Sequence, residues 1–447
     1  MQHSGDQRMK LRIQQLLAVA ILVCAFASVS RAEFLLKDND RVVLFGDVSF
    51  GHSFAPEWFS QFMRTRYPDL KLEFYCLAKS SSDAAEGNDR YPAEVAPLNP
   101  TWVILSFGLD SPQRQAFNQA RLDAYVKEMS KMIDTVNASG AKLLVLTPPP
   151  PQESKHKSLQ AAQYEDVISK YADALRELAK SKNAEILDWH KAGSEYRATL
   201  DDDAGANWTK RGLQPLGLSL SVAIDLILTR FGAEPLEYML EADWDSDKAT
   251  ASFGTIKVTS HDENNMSFDL TDVPVTLDMN ARGQIQARTW PLSKWCKLIF
   301  KINGMPPGGV IVSAPDGKNG KPFLQQQFQV GADMSQIGPL ASNEHVATLH
   351  NAIRTKLGQC SKYRETMTRP VPEPELEKGY ELYREADKEL MIAAQKIENR
   401  TPSRYNASIK IAKASRSQIP VPRPMPKGKT PAKPAGPKPA VKGKSGN

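Results

Sequence analysis

Polar side chains that could take part in nucleophilic chemistry follow three apolar runs of this sequence. The runs are 42–45, 72–77 and 102–107, and the polar residues after them are Asp47 and Ser49, the serine-rich stretch 80–83, and Asp110. Short apolar runs bounded by glycine and polar residues indicate buried strands. Because sites in parallel sheets lie at the carboxyl ends of the strands, we expect these polar residues to share one edge. Nucleophilic catalysis there would require an attacking group, a general base and donors that stabilise negative charge.

The elements that must position these residues alternate along the chain. Two further apolar runs lie at 142–146 and 185–187, and helical patterns lie at 54–66, 119–136, 160–181 and 217–230. This alternation is typical of an α/β domain with a parallel sheet. We therefore predict a three-layer, flavodoxin-like α/β domain over residues 33–233.

The sequence after residue 233 has a different pattern. Short alternating runs bounded by Gly, Pro, Asn and Asp occur at 255–259, 266–270, 297–303 and 309–314. They predict a small antiparallel β domain over residues 234–333.

Two amphipathic helical patterns at 342–363 and 373–399 predict a helical hairpin within 334–401. Residues 402–447 hold eleven Lys/Arg and no Asp/Glu, and their high proline content predicts a disordered basic tail.

Composition and the N-terminus indicate an exported globular protein. With 41% hydrophobic and 24% charged residues, the chain is neither fibrous nor wholly disordered. Basic residues precede the apolar stretch 16–27, and Ser30-Arg31-Ala32 meets the small-residue rule for cleavage, so residues 1–32 are predicted to be a signal peptide. We expect a periplasmic, cell-envelope or extracellular location. The tail 402–447 could contact an anionic envelope polymer or a membrane surface by charge, or act as a solvated spacer; nucleic acid is not expected.

Three cysteines remain once the signal peptide is removed. Cys76 lies within an apolar run and is most simply a buried thiol. Cys296 and Cys360 could form a disulfide, but Cys360 also continues the apolar stripe of a helical pattern, so a core thiol is an equal alternative. The spacing of Cys and His does not resemble a zinc site, and neither a metal nor a cofactor is expected.

Four blocks across residues 41–231 resemble, in order and spacing, the SGNH (GDSL) hydrolase family, and the region after them resembles the C-terminal part of its long, exported members. The blocks are Gly46-Asp47-Val48-Ser49, the stretch 80–83, Gly108-Leu109-Asp110-Ser111 and Arg211-Gly212-Leu213-Gln214-Pro215. The resemblance implies an esterase-type site. In the family a serine attacks the ester, backbone and asparagine amides stabilise the oxyanion, and a histidine oriented by an aspartate moves the proton.

The nucleophile and oxyanion positions depart from the family pattern. Val48 stands where the family has its serine, and its side chain has no atom that can attack. Ser49 is one residue late and is more simply a turn hydroxyl than a displaced nucleophile. The oxyanion glycine falls on Ser81 or Ser82, either of which keeps the backbone N–H. Asp110 replaces the asparagine amide donor by a carboxylate, which only accepts hydrogen bonds and repels an oxyanion.

The proton-transfer positions depart as well. Arg211 takes the place of the family's aspartate and Gln214 that of its histidine, and a glutamine cannot act as a general base near neutral pH. We therefore predict a pseudoenzyme with no intact catalytic residue. One alternative is an active esterase rearranged around Ser49, with His52 or His190 as base, although both histidines are more simply structural. A second alternative is an envelope scaffold whose basic tail is the functional part.

The retained cleft could still bind a glycan or an ester without cleaving it. The candidate ligand-binding residues are Asp47, Asp110, Trp208 and Arg211, with Trp208 as an aromatic stacking surface. Asp47, Asp110 and Asp83 also stand opposite Arg211 in the family pattern. A buried acid–arginine pair could have replaced the catalytic groups, and an inert salt bridge is the simpler interpretation.

Overall fold

The computed structural model describes residues 33–50, 55–151, 161–200, 208–210, 214–252, 254–275, 294–318, 320–334, 344–368, 374–402 and 404–414. The predicted signal peptide, 1–32, and the end of the predicted tail, 415–447, lie outside these residues. His52 and Arg211 also lie outside them, so the interpretations that involve these two side chains stay predictions.

The first part of the chain alternates strands and helices, which confirms the predicted α/β class. Its elements are β1 (Arg41–Gly46), α1 (Ala55–Arg66), β2 (Glu73–Ala78), α2 (Ala84–Glu94), β3 (Trp102–Ser106), α3 (Gln119–Ala138), β4 (Lys142–Leu146), α4 (Ala161–Ser181), β5 (Glu185–Leu187), α5 (Trp189–Arg197), β6 (Thr209–Lys210), β7 (Gln214–Pro215) and α6 (Gly217–Arg230). Helices α2 and α5 are additional to the predicted elements.

The central sheet is parallel and has the order β2-β1-β3-β4-β5, which is the flavodoxin-like order. Val42 and Leu44 of β1 face a core shared with α1, α5 and α6. Val43 and Phe45 face a second core shared with α2, α3 and α4. Because helices cover both faces of the sheet, the strand is apolar at every one of these positions and does not alternate with polar residues.

The region after α6 forms two sheets. Its strands are β8 (Leu236–Asp243), β9 (Ala249–Ala251), β10 (Thr255–His261), β11 (Asn265–Pro274), β12 (Cys296–Asn303), β13 (Gly309–Ser313), β14 (Lys321–Leu324) and β15 (Ala332–Asp333), with the short helix α7 (Gln325–Val330) between the last two. One sheet has the order β15-β12-β8-β9. It departs from the antiparallel prediction in one pair, because β8 and β12 run parallel. The other sheet packs against it, with the rings of Phe268 and Phe300 edge-on at 5.2 Å.

The predicted helical hairpin is present and docks on the α/β part. It consists of α8 (Glu344–Thr368) and α9 (Pro374–Arg400). Helix α8 packs against α1, α2 and the edge strand β2. Leu349, Ile353 and Leu357 of α8 join the core on the α1 side of the sheet, and Cys360 joins the core on the other side. The hairpin therefore covers a strand edge that would otherwise offer unpaired backbone groups.

The prediction that the disordered tail begins at residue 402 is wrong for residues 404–413. These residues form β16 (Arg404–Lys413), a strand within the antiparallel sheet of order β10-β11-β16-β13-β14. Tyr405, Ile409 and Ile411 are buried, and the residues between them are more exposed. The strand has a period of two that its basic composition obscures. Because β16 lies between β11 and β13, the helical hairpin is an insertion within the β sandwich.

Among the described residues, Cys76, Cys296 and Cys360 form no disulfide, so the structure agrees with the core-thiol alternative for Cys360 and not with a Cys296–Cys360 pair. Burial raises the pKa of Cys76 to about 12 and that of Cys360 to about 11, which makes both thiols poor nucleophiles. Among the described residues, every helix is too short or too polar to cross a membrane.

Strand β16 should contribute directly to the stability of the whole fold. We expect Ile411→Ala to lower the free energy of unfolding by about 2–5 kcal/mol, because it leaves a cavity in the sandwich core. Lys413→Ala, at an exposed position of the same strand, should change it by less than about 0.5 kcal/mol. Urea unfolding followed by circular dichroism measures both values. Equal effects of the two substitutions would contradict the buried position of the strand.

Candidate functional site

The turn after β1 begins where the backbones of β1 and β3 approach closely. A Cβ atom on Gly46 would lie 2.2 Å from the carbonyl oxygen of Ser106, so only glycine fits there. The N–H of Asp47 then donates to the same carbonyl at 3.0 Å. This contact turns the chain away from the strand and directs the Asp47 side chain toward the loop that follows β3.

The Asp47 carboxylate is fully buried and ties two loops together. Its Oδ2 accepts hydrogen bonds from three successive backbone N–H groups, those of Gly108, Leu109 and Asp110, at 2.9, 2.8 and 3.1 Å. Its Oδ1 accepts from the N–H and the hydroxyl of Ser49 at 2.9 and 2.6 Å. The turn that follows β1 is thereby held against the turn that follows β3.

The Asp110 carboxylate occupies the place where the family forms its oxyanion hole. Its Oδ2 accepts from the N–H of Val48 at 3.1 Å and from the N–H of Ser81 at 2.9 Å. These are the backbone donors at the nucleophile position and at the oxyanion-glycine position. The sequence indicated that Asp110 can only accept hydrogen bonds, but it did not indicate that the donors would be those of the hole itself.

Val48 and the two serine candidates have distinct surroundings. The Val48 side chain is 6% exposed and belongs to the core on the α2 side of the sheet. Ser81 has a φ of +64°, the left-handed conformation that favours glycine, and its N–H faces the site. Ser82 is buried, and its hydroxyl accepts a hydrogen bond from Arg90 at 2.9 Å. Asp83 caps α2 by accepting from the N–H of Glu86 at 3.0 Å.

Two buried carboxylates at this edge have raised pKa values. Burial, followed by the charge of Asp110, raises the pKa of Asp47 to about 6, against the opposing effect of its hydrogen bonds. Burial also raises the pKa of Asp110, while the N–H groups of Val48 and Ser81 and the charge of Arg114 act in the opposite direction. The pair therefore takes up a proton more readily than two solvated aspartates would.

His190 lies at the start of α5 and is held by structural contacts. Its backbone N–H donates to Thr147 Oγ1 at 2.8 Å, and its ring is 9% exposed. Burial, with the charge of Arg176 second, lowers the pKa of His190. Asp188, immediately before α5, caps the helix at Lys191 and pairs with Arg176. These contacts fix the backbone at the start of α5, and Nε2 of the buried His190 ring makes no hydrogen bond within the described residues.

Trp208 does not offer a stacking surface, and the prediction that it binds a ligand by its ring face is wrong. The side chain is 0% exposed. Its Nε1–H donates to the carbonyl oxygen of Pro150 at 2.8 Å, and the residue belongs to the core on the α1 side of the sheet. A ring enclosed in this way has no face left for a sugar.

Of the fourth block, residues 211–215, the structure describes only the last two residues, 214 and 215. The backbone of Gln214 pairs antiparallel with Lys210 in the short ladder of β6 and β7, directly before α6. Whether Gln214 and Arg211 converge on Asp110 stays a prediction. Within the described residues, no group of three or more His, Cys, Asp or Glu side chains could hold a metal ion.

Residues 45–212 match the model of the GDSL-like Lipase/Acylhydrolase family. This match confirms the resemblance to the SGNH (GDSL) hydrolases seen in the four blocks. No curated protein sequence matches the chain.

Solved structures share the fold at low sequence identity. BT4096, "a gut microbial diltiazem-metabolizing enzyme", aligns with 86% of this chain and 100% of its own, with a TM-score of 0.66 and 15% identity. Axe2, an acetylxylan esterase from Geobacillus stearothermophilus, covers 44% of this chain and 96% of its own, with a TM-score of 0.37 and 16% identity. LAE5, an α/β hydrolase from the metagenome of Lake Arreo, Spain, covers 45% and 98%, with a TM-score of 0.38 and 16% identity. At 15% identity the likeness to BT4096 shows the fold alone.

The coupling of the two carboxylates predicts a pH-dependent stability. A raised pKa means that the native state holds its proton more tightly than the unfolded state. The free energy of unfolding should therefore fall as pH rises from about 4 to about 6. Asp110→Asn keeps an oxygen acceptor for Val48 and Ser81 but removes the charge that acts on Asp47, so this fall should shrink.

Urea unfolding at pH 4.5, 5.5 and 7 measures the change, with Asp123→Asn as an exposed control. The control should show the wild-type pH dependence. An Asp110→Asn variant with the same pH dependence as the wild type would argue against the coupling.

Proposed function

We propose that this chain is an exported, non-hydrolysing member of the GDSL-like lipase/acylhydrolase family. The observation that carries the proposal is the Asp110 carboxylate, which accepts from the N–H groups of Val48 and Ser81. These donors would have to bind the oxyanion of a tetrahedral intermediate. A carboxylate in their place repels that oxyanion and already uses their hydrogen-bonding capacity.

The loss of the nucleophile supports the same conclusion. A valine at position 48 cannot form an acyl-enzyme, and position 214 carries a glutamine, which cannot take a proton from an attacking hydroxyl. Losing both groups removes the chemical step itself, whereas losing one donor only slows it. The proposed ligand class is an ester or an acetylated carbohydrate, the substrate class of the family, bound and not cleaved.

The geometry weighs against an esterase rearranged around Ser49. The Ser49 side chain is fully buried, so a substrate carbonyl cannot approach it. Its hydroxyl donates to Asp47 Oδ1 at 2.6 Å, within the clamp that shapes the turn.

The proposed export and envelope contact rest on the sequence alone. Residues 1–32 have the pattern of a signal peptide, and 415–447 keep the Pro/Lys-rich composition of a basic tail. Deleting 415–447 and following the protein in envelope fractions tests the tail without removing β16. Unchanged fractionation would reject the scaffold alternative.

The purified protein should not hydrolyse p-nitrophenyl acetate or acetylated xylose oligomers above a heat-denatured control, because the site lacks a nucleophile and a free oxyanion hole. Release of p-nitrophenol and of acetate measures this. Ser49→Ala serves as the matched control and should behave like the wild type. Turnover that Ser49→Ala abolishes would establish the rearranged esterase and reject our proposal.

Restoring the nucleophile alone should not restore activity. Val48→Ser supplies a hydroxyl, but Asp110 still occupies the oxyanion hole and position 214 still lacks a base. We expect turnover of p-nitrophenyl acetate to stay at the denatured control in Val48→Ser and in Val48→Ser with Asp110→Asn. Clear burst kinetics in the single variant would show that neither the base nor the hole limits the site.

A further inference from the structure

The helical hairpin docks on the α/β part through buried polar contacts as well as apolar ones. Helix α1 presents Glu57, Gln61 and Arg64 along one face, at helical spacing. Glu57 Oε2 lies 3.4 Å from His350 Nε2, and Gln61 Oε1 lies 3.2 Å from His350 Nδ1. One turn further along, Arg64 donates to the backbone carbonyl oxygen of Glu398 at 2.6 Å. Charged groups therefore line the interface between α1 and the hairpin.

A cavity of about 100 Å³ lies at the Arg64 end of this interface. Its polar wall is formed by Ser60 and Arg64 of α1 and by Glu398 of α9, and its apolar wall includes Leu72 and Phe74 at the start of β2. A water molecule needs about 10–15 Å³ of such space. The cavity is therefore large enough for a small polar molecule of a few non-hydrogen atoms.

Three polar atoms of the residues that line this cavity make no hydrogen bond within the described structure, and one of them, Glu398 Oε2, is instead ion-paired with Lys356 Nζ at 2.6 Å. Ser60 is 1% exposed and its hydroxyl makes no hydrogen bond, and the Nε–H of Arg64 makes none either. The two residues are one helical turn apart, so their side chains share a face of α1. A buried polar group left unpaired is unfavourable by about 1–3 kcal/mol. This cost indicates that a ligand atom or an ordered water forms hydrogen bonds with the Ser60 hydroxyl and the Arg64 Nε–H.

The charges around the cavity favour an anionic ligand. Glu398, which is 4% exposed, lies 3.5 Å from Arg64 Nη1 and 2.6 Å from Lys356 Nζ. One carboxylate is thus shared between two cations. An additional acceptor with negative charge would satisfy the Ser60 hydroxyl and the Arg64 Nε–H, and it would balance the remaining positive charge.

We propose that this cavity, between α1, β2 and α9, binds a small oxyanion such as a carboxylate, a phosphate or a sulfate. The Ser60 hydroxyl and the Arg64 Nε–H donate to its oxygens. The positive charge of Arg64 in the cavity wall, and that of Lys356, which pairs with Glu398 outside the cavity lining, offset the negative charges of the ligand and of Glu398. The ligand bridges the α/β part and the hairpin, so it stabilises their docking. This site is separate from the degenerate esterase site and does not depend on the function proposed for it.

Thermal unfolding of the full chain tests the proposal. The Tm should rise in a saturable manner with one of sodium phosphate, sulfate or acetate, compared with sodium chloride at equal ionic strength, because a ligand that binds only the native state stabilises it. The anion that acts at the lowest concentration identifies the source of the oxyanion. A Tm that rises no further with any of the three than with chloride would mean that the cavity holds water only and would overturn the proposal.

Substitutions localise the effect. Ser60→Ala removes an unpaired hydroxyl, so it should leave the Tm in chloride unchanged or higher, while weakening the apparent affinity for the anion about tenfold. Ser219→Ala is the matched control, because Ser219 is also buried with an unpaired hydroxyl but lies outside the cavity lining. It should keep the full response. Arg64→Lys retains a positive charge near Glu398 and loses the Nε–H, and it should also weaken binding. An undiminished response in Ser60→Ala and Arg64→Lys would overturn the assignment of the site.

Discussion

A buried carboxylate that receives five hydrogen bonds holds the carboxyl edge of the sheet in place. Asp47 accepts from three consecutive N–H groups of the loop that follows β3 and from both donors of Ser49. Each of these donors would be unfavourable by about 1–3 kcal/mol if it were buried without a partner. The positions of Val48, Ser49 and Asp110 all depend on this carboxylate, and so does the geometry of the site they form.

The same edge holds a carboxylate at the positions that the resemblance assigns to the oxyanion hole. An oxyanion hole is a set of N–H groups that points at one place, and any anion that reaches this place satisfies them. In this chain the anion is the side chain of Asp110, which links the loops after β1, β2 and β3 through Val48 and Ser81. The N–H groups of Val48 and Ser81 thus bind an acceptor that belongs to the same chain. A second buried carboxylate thus lies close to Asp47, and burial, followed by the charge of Asp110, raises the pKa of Asp47.

The accessory elements form one continuous core with the α/β part. The core on the α1 side of the sheet extends from Val42 and Leu44 through α1 and α6 into the β sandwich, where it includes Phe300 and Ile411. Strand β16 enters that sandwich only after the chain has passed through the hairpin, so sandwich and hairpin are linked by topology. The likeness to BT4096 over 86% of this chain extends to this arrangement as well as to the α/β part.

The sequence by itself determined the α/β class, the approximate positions of the five central strands and of helices α1, α3, α4 and α6, and, through the resemblance, the replaced positions of the site. Those features follow from the periodicity of neighbouring residues and from motif spacing, which are local properties. Helix α2 was not predicted because Gly87 and Pro92 disfavour a helix, and packing against Phe107 and Met132 stabilises it. The alternation of β16 was hidden by its basic surroundings, and the burial of Trp208 depends on distant Pro150. Only the tertiary structure decided that Asp110 accepts hydrogen bonds from the N–H groups of Val48 and Ser81, because Asp110 and Val48 are 62 residues apart and meet only when the sheet aligns the ends of its strands.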